Sequence, residues 1–171
     1  MYQFWRMIWG MCLLRTGPQD IPASQTLLLI TVAAYFGVSF VLAIVTLGFS
    51  ASLGAATVDV VFLLIVSYVI LWIKLTTNRW YQVATALAGV CTLIGAIAIP
   101  FAAMQAVLGT ENAAIAFPVL ILIGLMVWNL IAIAHVFKHA MDVNMIVAAL
   151  LAGFYMYLSL KVMNILFFQA E

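Results

Sequence analysis

The sequence predicts an all-α membrane protein in which a short interfacial amphipathic helix precedes five transmembrane helices. Of its 171 residues, 68% are hydrophobic and 6% are charged, whereas a soluble domain carries about 25% charged residues. Five segments stay apolar for about 20 residues, the length at which a helix crosses the hydrocarbon core. The formal net charge of +1 provides no basic surface for a nucleic acid partner.

The first element is the segment 1–14, MYQFWRMIWGMCLL, which is too short to span a bilayer. Gln3, Arg6 and Gly10 fall on one helical stripe, and apolar residues occupy the rest of the surface. This pattern favours a helix lying in the cytoplasmic headgroups, where Trp and Tyr side chains are enriched. No small-residue cleavage site follows it, so we expect the segment to be retained. A disordered tail is the alternative, but it would expose the aromatic rings to water.

The second element is the polar turn 15–24, RTGPQDIPAS. Pro18 and Pro22 end the first helix because proline lacks the backbone N–H that a continuing helix requires. Asp20 or Ser24 is then suited to cap the next helix. The turn is therefore predicted to join a helix on the membrane surface to the first helix that crosses it.

The five predicted spans follow directly along the chain. The links SASLGAAT, TTNR, GTEN and MDVN carry residues that are typical of turns. Because the links are short, consecutive helices are expected to be antiparallel neighbours. The five spans make up a transmembrane domain over residues 22–168, with predicted bounds Pro22–Phe49, Thr57–Leu75, Trp80–Leu108, Ala116–His139 and Val143–Phe168.

The basic residues predict the orientation of the bundle. Alternating spans place Lys161 on one side, together with Asp59, Glu111 and Glu171, where Asp59 is expected to cap the second span at the outer surface. The positive-inside rule then predicts a cytoplasmic N-terminus and an external C-terminus. The other five basic residues share the predicted cytoplasmic side: Arg6, Arg15, Lys74, Arg79 and Lys138.

Small residues recur at alternating spacings of four and three along the third span. Such a seam lets helices approach closely and gain dispersion contacts. It is open whether the seam packs within the chain or forms a face for another membrane subunit. Its members are Ala84, Ala88, Cys91, Gly95, Ala98 and Ala102.

The end of the fourth span carries a possible metal site. His135, His139 and Asp142 lie at i, i+4 and i+7, and imidazole nitrogens and carboxylate oxygens are suitable ligands for divalent transition metals. The alternative is an ordinary hydrated helix end, because polar and cationic groups belong at the cytoplasmic surface.

Two further polar residues are candidates for a ligand contact. Asn129 lies deep in the fourth span, where a buried amide needs a partner, either on another helix or on a solute. Lys161 lies within the apolar fifth span and can extend towards the interface, unless Asp59 or Glu111 pairs with it. Pro100 is expected to kink the third span.

From Arg79 onward the chain resembles the Yip (Ypt-interacting protein) family of five-span membrane proteins. The resemblance is carried by RWYQVATALAGVCTLIGAIAIP, LMVWNLIAIAHVFKHAMDVN and AALLAGFYMYL. It implies a compact five-helix bundle, and in eukaryotic members it implies adaptor work with small GTPases and vesicle machinery. The chain lacks the long hydrophilic N-terminal region of those adaptors and is more similar to small bacterial members, which implies a place in a bacterial inner membrane. The resemblance assigns no functional residue.

The sequence shows no nucleophile elbow, no phosphate-binding glycine loop and no paired intramembrane carboxylates. We therefore expect a non-enzymatic scaffold or accessory subunit without a cofactor. It would act through helix packing in the lipid bilayer, with a membrane-protein partner or as a homo-oligomer. The alternative is a transporter or binding protein for a lipid or small solute within the helix bundle.

Overall fold

A computed structural model describes residues 2–109 and 112–168, and most of these residues are helical, with no β-strand among them. Five of the helices are long and apolar enough to cross a membrane. The predicted fold class is thereby confirmed, including the short helix at the N-terminus. The helices are α1 (Tyr2–Cys12), α2 (Gln25–Ile44), α3 (Phe49–Ile73), α4 (Trp80–Leu108), α5 (Ala116–Met141) and α6 (Met145–Met163), and α6 continues as a π-helix over Asn164–Phe168.

The largest departure from the predicted bounds lies between the first two spans. The predicted link SASLGAAT is helical, α3 begins at Phe49 instead of Thr57, and α2 ends at Ile44. Alanine and leucine favour helix strongly, and the Ser52 hydroxyl donates to the Gly48 carbonyl at 2.9 Å. A Cβ on Gly54 would lie 3.2 Å from the Phe167 ring. This glycine therefore lies inside α3 and allows the segment that continues α6 to approach closely. The turn occupies residues 45–48 instead.

The N-terminal helix α1 packs against α4 and α5. Phe4, Ile8, Met11 and Cys12 are buried on its inner face, and burial raises the pKa of the Cys12 thiol to about 11. A Cβ on Gly89 of α4 would lie 2.7 Å from the Ile8 side chain, so the glycine allows the close approach of α1. The N-terminal residues thus form a docked helix with one apolar face on the bundle.

The polar turn is fixed to the same end of the bundle. Ser24 caps α2 by accepting a hydrogen bond from the Leu27 amide at 3.4 Å, while the Asp20 carboxylate accepts from the Gly17 amide at 3.0 Å. Gln82 of α4 donates to the Ile21 carbonyl at 2.6 Å. Of the two predicted caps for the first span, Ser24 is therefore the one that acts on α2.

The five long helices form a ring in the order α2, α4, α5, α6, α3, in which α3 packs mainly against α2 and also contacts α4 and α6. In the first half of α4, every residue from 83 to 92 is buried, because α1, α2, α3 and α5 surround it. Large apolar side chains cover the outside of the ring, as expected when lipid is the solvent. The chain is an integral membrane protein.

Candidate intramembrane binding site

Asp59 lies near the middle of α3. It follows Phe49 by ten residues and precedes Ile73 by fourteen, or about 15 Å and 21 Å along a helix that rises 1.5 Å per residue. The expectation that Asp59 caps the second span at the outer surface is therefore wrong. Because α3 begins eight residues earlier than predicted, the carboxylate lies at intramembrane depth.

Two hydroxyl groups of α2 donate to one oxygen of this carboxylate. The Tyr35 hydroxyl lies 2.6 Å from Asp59 Oδ2, and the Ser39 hydroxyl lies 2.7 Å from the same atom. Tyr35 and Ser39 are separated by four residues, so they lie on one face of α2. Oδ1 has no hydrogen-bond partner among the residues that the structure describes, and the Asp59 side chain is half-buried.

Asp59 lines a half-open cavity of about 300 Å³ between the five long helices, which we call the central cavity. All five long helices line it, and most of its wall is aliphatic. Within the described residues, the lining includes no Lys, Arg or His. Its polar groups come from Tyr35, Ser39, Asp59, Cys91, Asn129, Tyr155 and Ser159.

A second cavity of about 290 Å³ shares Ser39, Leu42 and Asp59 with the first. It extends to Leu47 in the turn after α2 and to Phe167 beyond α6. This is the end of the ring opposite α1, because the polar turn that follows α1 leads into the start of α2. The Asp59 carboxylate thus stands where a path from one end of the bundle meets the central cavity.

Of the two predicted ligand contacts, the structure brings one to this site. Asn129 lines the central cavity, and its side-chain oxygen lies 3.8 Å from the Cys91 sulfur, which donates to it. Lys161 lines neither cavity, and its ammonium lies 5.9 Å from the centre of the Tyr157 ring. Asp59 therefore does not pair with Lys161, while Glu111 and Glu171 fall outside the described residues.

The small-residue seam of α4 is used inside the chain. Ala84 and Ala88 are fully buried, and a Cβ on Gly95 would lie 2.7 Å from Val38 of α2. Further along α4, Cys91, Gly95 and Ala98 line the central cavity, while Ala102 is half-buried. Small side chains thus allow α2 to approach α4 and also leave the space that forms the cavity.

The proposed metal ligands do not assemble into a metal site. His135 Nε2 lies 3.1 Å from the Thr16 carbonyl oxygen, so this imidazole helps to hold the polar turn. The ring centres of His135 and His139 are 4.5 Å apart, but α5 ends at Met141 and Asp142 has a left-handed φ of 51°. The helical i+7 relation therefore fails at Asp142. Among the described residues, no three His, Cys, Asp or Glu side chains are grouped to hold a metal ion.

Four polar residues that line the central cavity are not predicted from the sequence. They are Tyr35, Ser39, Tyr155 and Ser159. The signal that could have found them is their spacing, because each pair places two hydroxyls four residues apart in an apolar span. That spacing puts both hydroxyls of a pair on one helix face. Only the packing of α2 and α6 around Asp59 turns these two faces into one site.

The fold and the site define an integral membrane helix bundle with a mostly apolar cavity that contains a carboxylate at intramembrane depth. In comparisons with known proteins, no family model matches the chain, and neither a curated protein nor a solved structure matches it. The resemblance to the Yip family stays a prediction.

Proposed function

We propose that this protein binds a small solute in the cavity at Asp59 and acts as a membrane transporter or solute-binding protein. The observation that carries the proposal is the position of an intramembrane carboxylate on a central cavity. A charged side chain at the bilayer centre costs about 2.5–3.5 kcal/mol on insertion scales. Such groups mark binding sites and transport pathways in membrane proteins more often than packing contacts.

The composition of the cavity also supports solute binding. Small-molecule sites have mostly apolar walls, a few convergent polar groups and volumes from about 300 Å³ upward. The central cavity has about 300 Å³, with aliphatic walls and the polar groups of Asp59, Asn129 and Ser159. A bundle stabilised by packing alone would instead fill this space, since empty volume forfeits dispersion contacts.

Access from one end of the bundle is the third supporting feature. The second cavity runs from Asp59 towards Leu47 and Phe167. At the other end, α1 covers α4 and α5 with the buried side chains of Ile8 and Met11. A site open to one end and covered at the other is what a transporter presents in one of its two access states.

The proposal is tested with two small probes, fluorobenzyl alcohol and fluorobenzylammonium, observed by fluorine NMR in detergent micelles with protein-free micelles as the blank. We expect at least one probe to bind saturably with one site per chain. Ser159→Leu fills part of the central cavity and should abolish this binding. Ser50→Leu makes the same change at an exposed position of α3 and should leave it intact. Failure of both probes to bind the wild-type protein would contradict the proposal.

The scaffold function predicted from the sequence has less support, because the residues of the seam pack within the chain or line the cavity. A scaffold would have to use the outer apolar faces of the helices. A stoichiometric protein partner that co-purifies in mild detergent would favour the scaffold over the solute-binding function.

A further inference from the structure

We infer that the solute is a small organic cation, held by an ion pair between its charged nitrogen and the Asp59 carboxylate. The inference rests on the proposed function and adds the chemical class of the ligand. It is drawn from the charge balance of the cavity, the hydrogen bonds of Asp59 and the character of the walls.

The charge balance of the cavity favours a positive ligand. Asp59 is the one carboxylate that lines the central cavity, and no Lys, Arg or His lines either cavity within the described residues. Attraction between opposite charges strengthens as the dielectric constant falls, and so does repulsion between like charges. A cation would therefore supply the missing counter-charge, whereas an anion would be repelled.

The hydrogen bonds of Asp59 leave one oxygen for the ligand. Tyr35 and Ser39 both donate to Oδ2, which fixes the orientation of the carboxylate. Oδ1 has no hydrogen-bond partner in residues 2–109 and 112–168. An ammonium group donates hydrogen bonds and accepts none. It can therefore donate to Oδ1, whose position is fixed by the hydrogen bonds to Oδ2.

The size and walls of the cavity favour an organic cation over a metal ion. A hard metal ion such as Ca²⁺ takes about six to eight oxygen ligands, whereas aliphatic side chains form most of this wall. Tyr35 and Tyr155 also line the cavity, and an aromatic side chain near a cation attracts it through the negative face of the ring. The apolar body of an organic cation would occupy the remaining volume.

The experiment compares the two probes in one protein. Fluorobenzylammonium and fluorobenzyl alcohol have similar shapes and differ in charge, and each is titrated into the wild-type bundle and followed by fluorine NMR. We expect the ammonium probe to bind about tenfold or more tightly than the alcohol, because a charge-assisted hydrogen bond in a desolvated site is stronger than a neutral one. Asp59→Asn should remove this preference. Asp142→Asn makes the same chemical change at an exposed position and should preserve it.

The outcomes separate the two proposals. Equal affinity of both probes for the wild-type protein, with binding abolished by Ser159→Leu, would retain a solute site and overturn the cationic class. Preference for the ammonium probe that persists in Asp59→Asn would overturn the role of Asp59. If neither probe binds, the proposed function and this inference both fail. The comparison in the wild-type protein decides the charge class even if Asp59→Asn does not fold.

Discussion

At the scale of single residues, the hydroxyls of Tyr35 and Ser39 stabilise the half-buried carboxylate of Asp59. A carboxylate at hydrocarbon depth loses its hydration, and two short hydrogen bonds to Oδ2 replace part of it. These hydroxyls belong to α2, while the carboxylate belongs to α3. The polar contact therefore also fixes how the two helices face each other.

Replacement of Tyr35 by Phe removes one donor without changing the shape of the ring. We expect the free energy of unfolding to fall by about 1.5–3 kcal/mol, the usual contribution of a hydrogen bond to a charged group. Unfolding by a denaturing detergent, followed by circular dichroism, measures the change. Tyr68→Phe is the matched control because that ring is exposed and its hydroxyl makes no hydrogen bond within the described residues. Equal stabilities of the two variants would show that the Tyr35 hydroxyl does not stabilise the bundle.

At the scale of helices, the contact between α2 and α4 depends on a missing side chain. A Cβ on Gly95 would lie 2.7 Å from Val38 Cγ1, which is closer than real Cβ contacts allow. The glycine therefore sets the separation of the two helices next to the Asp59 cavity. The sequence predicted a close contact along this face but left its partner open.

Gly95→Leu should push α2 away from α4. We expect a loss of about 1–3 kcal/mol in the free energy of unfolding, as is usual when a tightly packed site is overfilled. Gly124→Leu is the matched control, since a Cβ on that glycine of α5 would meet no atom within 4 Å. Thermal unfolding in mild detergent compares the two variants. Wild-type stability in Gly95→Leu would rule out the close contact with Val38.

Helix bounds were predictable where composition changes sharply. The bounds of α4, Trp80–Leu108, agree with the prediction because a polar link precedes them and a glycine follows them. The start of α3 was missed because SASLGAAT contains small residues that suit both a turn and a closely packed helix. Because the predicted start of α3 is eight residues too late, the sequence places Asp59 at the membrane surface instead of at intramembrane depth. The site is therefore not predicted from the sequence. The partners of Asp59 lie 20 and 24 residues away in sequence, a pairing that only the tertiary structure provides.

At the scale of the whole molecule, the two ends of the ring differ. The N-terminal helix and the polar turn cover the end where α2 and α4 begin, through contacts such as that of Gln82 with the Ile21 carbonyl. The other end carries the cavity that leads to Asp59. If the basic residues face the cytoplasm, the open path leads to the exterior, and the proposed solute would reach Asp59 from outside the cell.

This orientation is predicted by the positive-inside rule and is tested by single-cysteine labelling. Asn78→Cys marks the link between α3 and α4, and Thr46→Cys marks the turn between α2 and α3; both positions are exposed. With Cys12 and Cys91 replaced by Ala, a membrane-impermeant maleimide applied to bacterial spheroplasts should label only Thr46→Cys. Permeabilised cells should label both, which controls for the reactivity of each site. Labelling of Asn78→Cys alone in intact spheroplasts would reverse the orientation, and the open path to Asp59 would then begin in the cytoplasm.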